Sequence, residues 1–489
     1  MTELLSERRS YVDGRFVEGD GAFSVENPAD ESIVCEIAAT PLREVENALT
    51  GARRSFDEGV WRDRPREERA AAVRAMLDHI EAQGDALVNT LVAEAGQPTM
   101  FAKGTQIGSG LTYARDAVDL FLTLPDDEAN PFPDGKLAAA GLAASIRAYE
   151  PIGVVSAITP YNAALMMGLQ KVIPALLTGC SVVLRPSPLT PLSSVVFATA
   201  AEAAGLPAGV LSVVLEDGAD GAALMTTHPA VDMVSFTGST AVGKQILAQA
   251  ASTVKQVALE LGGKSAQIYL PEAIGKAAFG AMAVIAMTSG QACVAATRML
   301  VPQERKDDVL AAVTAMYGNL PVGPPTEPAT LIGPLISAAQ RERCERYVAL
   351  AEEAGAKVVT GGGRPEGLDK GYYFQPTVLD VPDNSNPAAQ DEIFGPVLSV
   401  IGYADVDDAV RIANDSPYGL SGQVYGETAA ATAVARRLRT GAVNVNAGMF
   451  SAYAPSGGYK QSGLGRERGI EGIRAFQEIK HLAIADFQA

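Results

Sequence analysis

Residues 231–263 read VDMVSFTGSTAVGKQILAQAASTVKQVALELGG. An apolar run, Val231 to Phe236, gives way to a glycine-bearing turn at Thr237, Gly238 and Ser239. An amphipathic stretch, Thr240 to Ala250, follows, and then a second apolar run, Gln256 to Leu261. The pattern is strand, turn, helix, strand. It extends backwards through strand Gly153 to Ile158, helix Ala164 to Leu177, strand Ser181 to Leu184, helix Pro191 to Ala204, strand Val210 to Leu215 and helix Ala219 to Thr227. Short connections and nearly continuous apolar strands call for a parallel sheet covered on both faces by helices, the doubly wound type that binds nucleotides. At the turn, backbone N–H groups at a helix N-terminus can hold a pyrophosphate, and glycine permits close approach. The spacing is Gly-x-Thr-x-x-Gly rather than Gly-x-Gly-x-x-Gly, so an ordinary tight strand-to-helix turn fits it as well.

The stretch beyond, Val257 to Arg298, carries a carboxylate, Glu260, before Gly262-Gly263, and a thiol, Cys293, after Gly290-Gln291-Ala292. A thiol nucleophile and a base able to activate water are what thioester formation and hydrolysis require. A lone cysteine in an apolar run is otherwise core filler, because free cysteine behaves as a small hydrophobe. The uncharged run Ala277 to Thr297 reaches the length of a membrane span, about 20 residues. Its apolar character breaks after Met287, however, leaving a core helix and a polar turn that presents Cys293.

Composition narrows the classes. The 489 residues allow two large domains with an appendage, or three. Basic residues number 39 and acidic 57, a net charge of −18, with no Lys/Arg block to neutralise phosphates along a duplex, so no nucleic-acid partner is expected. The N-terminus is charged where a signal peptide needs an apolar core, so the expected compartment is the cytoplasm, with no membrane association. Four cysteines and three histidines are scattered without metal-ligand or disulfide spacing, and no metal is expected. The shortage of histidine leaves a carboxylate as the natural base.

Residues 8–42 read as a small β meander around Asn27-Pro28, followed by two or three amphipathic helices from Leu42 to about Ala95 and another from Lys103 to Leu124. The Pro- and Asp-rich segment Leu124 to Gly135 marks a boundary, after which Lys136 to Glu150 reads as a projecting hairpin. After Gly262 a second α/β region runs to about Asn446. Its helices are expected near Lys276–Met287, Glu304–Tyr317, Ser337–Ala354 and Thr428–Arg439, and its strands at Ala266–Leu270, Met299–Pro302, Lys357–Thr360, Val397–Tyr403 and Gly441–Asn446. The closing segment, Phe476 to Asp486, reads as a strand able to pair with the hairpin of another subunit.

Taken in order, Ile158-Thr159-Pro160-Tyr161-Asn162, Leu184-Arg185-Pro186-Ser187, the Gly238–Gly243 turn, Glu260-Leu261-Gly262-Gly263-Lys264, Gly290-Gln291-Ala292-Cys293, Glu392-Ile393-Phe394-Gly395-Pro396-Val397 and Gly457 to Glu467 resemble the aldehyde dehydrogenase superfamily over almost the whole chain. The resemblance implies an α/β fold with a Rossmann-type cofactor domain (1–131 and 151–261), a second α/β catalytic domain (262–461) and an oligomerisation element (132–150 and 470–489). It implies oxidation of a small-molecule aldehyde to the carboxylic acid with NAD(P)+. Cys293 would form a thiohemiacetal and then, after hydride transfer, a thioester; Asn162 and the Cys293 N–H would hold the oxyanion; Glu260 would activate the hydrolytic water. Lys171 is implied as a residue tuning these groups, and a structural ion pair suits it equally. For the cofactor, the turn with Gly238, Ser239 and Gly243 would take the pyrophosphate, and Glu392 and Phe394 the nicotinamide end. Ile158, Thr159, Pro160, Arg185, Ser187 and Leu261 complete the cofactor set. A homodimer or a homotetramer built from dimers is also implied.

Departures from the family pattern matter equally. Arg185 stands where lysine is usual, and Pro188 where NAD-preferring members often carry a glutamate, so NAD is expected with NADP possible. Ala163, Gln170 and Ser456 replace frequent aromatics and point to a bulky or partly polar aldehyde. Met167, Ala292, Val294, Phe450 and Tyr453 are the other candidate pocket residues. Two alternatives stay open: a CoA-acylating semialdehyde dehydrogenase, against which Glu260 argues, and a cofactor-free thiol esterase using Cys293.

Overall fold

Every residue of the strands Val154–Ile158, Ser181–Arg185, Leu211–Val213 and Met233–Thr237 is buried, as parallel strands covered on both faces must be. In this computed structural model, which describes residues 3–131, 143–448, 451 and 453–485, they join Gln256–Glu260 in one parallel sheet. Taken in chain order, the five strands lie in the spatial order 3-2-1-4-5. Strand order reverses between Val154–Ile158 and Met233–Thr237, and a crevice opens outside their carboxyl ends, where such sheets bind ligands.

The expected N-terminal meander divides. Ser10–Val12 and Arg15–Val17 form a hairpin that caps the sheet edge through Tyr11 opposite Val213, whereas Ala22–Glu26 and Ile33–Ala38 form a separate hairpin. At the opposite edge Gly463–Leu464, from the glycine-rich tail, runs antiparallel to Leu259 and Glu260. That contact brings the tail to the end of the strand bearing Glu260.

A second sheet of seven strands is ordered Lys357–Thr360, Thr377–Asp380, Val397–Tyr403, Arg298–Pro302, Ala266–Tyr269, Gly422–Tyr425, Asn444–Val445. Its pairs are parallel except the first. Two of these strands, Thr377–Asp380 and Gly422–Tyr425, carry too short an apolar run between Pro or Gly residues to be read from sequence. Two expectations shrink: the helix expected to Arg439 ends at Ala435, and the strand expected over 441–446 is only Asn444–Val445.

The terminal strand is corrected more substantially. Gln477–Ile484 pairs along its whole length with Ala144–Pro151 of the same chain, which also pairs with Asp127–Ala129. A partner subunit is not needed to complete this sheet. Of the expected hairpin, residues 136–142 lie outside the described residues. The expected helix over 103–124 is α-helical only from Gly110 to Thr123; Ala102–Ser109 is a π-helix. Glycines at 104, 108 and 110 weaken the ordinary helical ladder there. The wider turn serves the site described next. Among the described residues no helix is long and apolar enough to cross a membrane, and the uncharged run forms only the helix Ala277–Ala286.

Candidate active site

Cys293 is presented by a strained turn. After the helix Ala277–Ala286, Thr288, Ser289 and Gly290 adopt φ of 41°, 57° and 75° in succession. For the two non-glycine residues this backbone costs of order 1–3 kcal/mol each, so the surroundings must impose it. They do: Ser289 Oγ donates to Gly333 O at 2.8 Å, and Gln291 Oε1 accepts from Ile336 N at 3.0 Å. A Cβ on Gly290 would fall 2.3 Å from Gly395 O, which is why the turn requires glycine there. Burial pushes the Cys293 thiol up to about 12, with the Glu392 and Glu260 carboxylates adding to the rise and the Val294 and Cys293 N–H groups opposing it. Of the other thiols, Cys180 and Cys344 are buried and Cys35 is half-buried.

Asn162 precedes the helix Ala164–Thr178 and faces the same turn, its Nδ2 donating to Gln291 O at 2.8 Å. An amide has two N–H bonds, so one remains for an oxyanion. The Asn162 carbonyl is gripped from behind by Gln97 Nε2 at 2.8 Å and Gln106 Nε2 at 3.0 Å. Gln106 sits in the π-helix, is fully buried, and also accepts from Met166 N at 3.3 Å. Neither glutamine stands out in the sequence; only a buried position within an otherwise polar stretch marks them.

Glu260 ends its strand, and its carboxylate faces Gly457, where a Cβ would lie 2.8 Å from Oε1. Its pKa is raised to about 8, chiefly by burial and then by Glu467, while Lys171 and Arg466 pull it down. Lys171 is completely buried, donating to Glu467 Oε1 at 2.5 Å and Ser235 Oγ at 3.2 Å. Lys171 thus forms the expected ion pair, and its charge acts on Glu260 from there. Glu467, the last residue of the tail motif, belongs to this group.

Cys293, Asn162 and Glu260 line one end of a single cleft of about 790 Å³. Along its walls lie Ile158, Thr159, Pro160, Arg185, Ser187, Gly238, Ser239, Leu261, Glu392 and Phe394. A dinucleotide suits this cleft. Its volume is in the range of cofactor pockets, about 300–1,000 Å³. The helix Thr240–Ala250 points its N-terminus into it, and the Thr159 and Thr237 hydroxyls, at the ends of the two strands flanking the crevice, are buried without partners. Glu392 Oε1 accepts from Gly263 N at 3.0 Å; burial raises its pKa to about 7. Phe394 meets Tyr161 edge-on, with ring centroids 6.0 Å apart. Gln340 donates to the carbonyls of both Ile393 and Phe394, and Arg343 to those of Glu392 and Ile393, so the Glu392–Phe394 loop is held rigidly.

One cofactor expectation changes, and Arg185 gains a partner that the sequence did not show. Gly243 does not line the cleft: it lies inside the helix, and a Cβ there would meet Leu261 Cδ2 at 2.6 Å, so it serves close helix-to-strand packing. Arg185 lines the cleft as expected, but its charge is paired. Its Nε donates to Glu216 at 2.8 Å, both side chains are buried, and a second guanidinium nitrogen is bonded to the Gly218 carbonyl.

The substrate-side candidates are more dispersed. Ala292 and Val294 flank Cys293 and are half-buried, as is Met167, and Ala163 is buried. Gln170 and Tyr453 line a separate small cavity with Tyr113 and Arg468. There the Arg468 guanidinium lies 3.9 Å from the centre of the Tyr113 ring. Ser456 bridges backbone-to-backbone with Glu467 and so anchors the segment that bears that carboxylate. Phe450 lies outside the described residues.

Known proteins share this fold. The family model of the aldehyde dehydrogenase family matches residues 16–482. A 3-succinoylsemialdehyde-pyridine dehydrogenase from a Pseudomonas species is 39% identical over 479 residues, covering 97% of this chain and 98% of the relative. Geranial dehydrogenase of Castellaniella defragrans is 38% identical over 480 residues, with 97% and 98% coverage. Among solved structures, betaine aldehyde dehydrogenase of Staphylococcus aureus in complex with NAD+ superposes with a TM-score of 0.92 at 34% identity, over 97% of this chain and 94% of that one. A cysteine-to-alanine mutant of aldehyde dehydrogenase C from Pseudomonas syringae, complexed with NAD+ and octanal, gives 0.92 at 37% identity over 98% of both chains.

Proposed function

Because this chain belongs to the aldehyde dehydrogenase family, and so oxidises an aldehyde to the carboxylic acid with NAD+, we propose that the reaction runs on Cys293, Asn162 and Glu260. The observation carrying this is their meeting at one end of a cleft whose other end suits a dinucleotide. Cys293 rests as a thiol, and as the sulfur attacks its proton passes to one of the two carboxylates beside it, Glu392 or Glu260, and from there to solvent. The sulfur then bonds to the aldehyde carbon. The developing oxyanion is met by the free Asn162 N–H and the Cys293 backbone N–H, both held in place beforehand by the glutamine grip and the strained turn. NAD+ bound in the cleft supplies the hydride acceptor, with Glu392 and Phe394 at the nicotinamide end and Ser239 and Gly238 at the pyrophosphate. Glu260, unprotonated again, takes a proton from water as the water oxygen attacks the thioester; the adduct then collapses, the sulfur leaving with that proton, so that the acid and the thiol are released together. The Lys171–Glu467 pair acts through Glu260 by setting its proton affinity.

The cofactor unit in this reading comprises 1–131 and 151–261, the catalytic unit 262–461, and the oligomerisation element 132–150 with 470–489. A homodimer or homotetramer is supported by the exposed apolar side chains of Ile479, Leu482 and Ile484 on the terminal strand. A cytoplasmic location is supported by four unpaired cysteines. For the substrate, loss of large side chains at Ala163 and Gln170 favours a bulky or partly polar aldehyde. The test is the initial rate of NAD+ reduction over a panel of aldehydes without CoA. NADH and acid formed in equal amounts, abolished in Cys293→Ser, support the reading. Turnover only with CoA, or ester cleavage indifferent to nucleotide, overturns it.

A further inference from the structure

Glu216 performs two jobs with one carboxylate. One oxygen, Oε1, accepts from Arg185 Nε at 2.8 Å and from Ala222 N at 2.9 Å; the other, Oε2, accepts from Gly221 N at 2.6 Å. Gly221 and Ala222 belong to the first turn of the helix Asp220–Thr227, so the carboxylate sits on that helix N-terminus. The site is built for it: a Cβ on Gly221 would lie 2.4 Å from Oε2, and Glu216 and Arg185 are each 7% exposed. A guanidinium and a helix N-terminus are the two devices by which proteins hold phosphate. Here one internal anion engages both.

The position matters because of what lies beside it. Arg185, Pro188, Gly218 and Ala219 line the end of the cleft remote from Cys293, next to an apolar slot between Ala222 and Thr226 on one helix and Val242 and Ile246 on the next. A flat adenine suits that slot, and its ribose then falls between the slot and the pyrophosphate turn, beside Arg185. We infer that Glu216 is a built-in stand-in for the 2′-phosphate of NADP: it engages Arg185 and the first helix amides, so that a second phosphate must compete with a resident carboxylate for them, and it makes the adenosine end selective for a ribose with free hydroxyls. Exposed Asp217 on the loop and Asp220 at the start of the helix add repulsion. The inference rests on the reading of this cleft as a dinucleotide site. Glu216 acts through Arg185 and the helix, as a positioning residue.

Calorimetric titration of the full chain with 5′-AMP and 2′,5′-ADP separates the possibilities without any turnover. Wild type should bind 5′-AMP at least about tenfold more tightly than 2′,5′-ADP, the discrimination expected from one charge-assisted contact. In Glu216→Gln the ratio of 2′,5′-ADP to 5′-AMP affinity should rise at least about tenfold, and the rise should vanish when Arg185→Met is added. Equal binding of the two ligands by wild type overturns the proposal even if the variant does not fold. An unchanged ratio in a folded Glu216→Gln, or a rise that survives Arg185→Met, also overturns it. If wild type binds neither 5′-AMP nor NAD+, the dinucleotide reading itself fails and the proposal falls with it.

Discussion

Replacing Glu260 by glutamine keeps the shape of the side chain and removes its basicity, and the two halves of the reaction should respond in opposite directions. A positioned general base contributes about 100- to 10,000-fold, or about 2.7–5.4 kcal/mol, to the step it serves. Hydrolysis of the thioester should slow by that factor. The first half should survive, because the Glu260 carboxylate is one of the two charges that hold the Cys293 thiol up. Without it the sulfur ionises more readily, and another carboxylate, Glu392, raised to about 7, still lies near. Stopped-flow mixing of enzyme, NAD+ and excess aldehyde should therefore show a rapid burst of about one NADH per site and then a steady rate lower by two or more orders of magnitude. Iodoacetamide should label Cys293 at lower pH than in wild type. A variant that loses burst and steady rate together, or keeps full steady turnover, refutes the division of labour between Cys293 and Glu260.

Where hydrolysis limits turnover, kcat should follow deprotonation of Glu260, rising about tenfold from pH 7 to pH 9 around a midpoint near 8, and the rise should disappear in Glu260→Gln. Lys171→Met should move that midpoint to higher pH and Glu467→Gln to lower, since the lysine pulls the Glu260 pKa down and the glutamate pushes it up. Both should lower Tm, as breaking a buried pair costs about 3–5 kcal/mol. Gln106→Leu should leave the Asn162 carbonyl with one partner instead of two, costing about 1–3 kcal/mol. In pre-steady-state kinetics that loss should fall on the first burst rate, with NAD+ affinity retained.

The parallel sheet was legible because full burial writes itself as continuous apolar runs, and the carboxyl-end crevice followed from alternation alone. Cys293, Glu260 and Asn162 were legible through motif order, since each reaches the cleft from the end of a strand or a turn. What sequence could not supply was every partner reached across space. Glu216 lies 31 positions from Arg185 and Glu467 lies 296 from Lys171. Gln106 looks like an ordinary polar residue until the π-helix turns it inward. The terminal strand failed differently: a sheet-forming run announces that it will pair, and nothing in it says whether the partner belongs to the same chain.

Covalent chemistry on Cys293 is the central claim, and intact-mass and peptide mass spectrometry of an acid-quenched turnover tests it most directly. Glu260→Gln incubated with aldehyde and NAD+ should carry one acyl group on the peptide containing Cys293, and none when NAD+ is omitted. An acyl group on Cys35, Cys180 or Cys344, or one that forms equally well without NAD+, would contradict it.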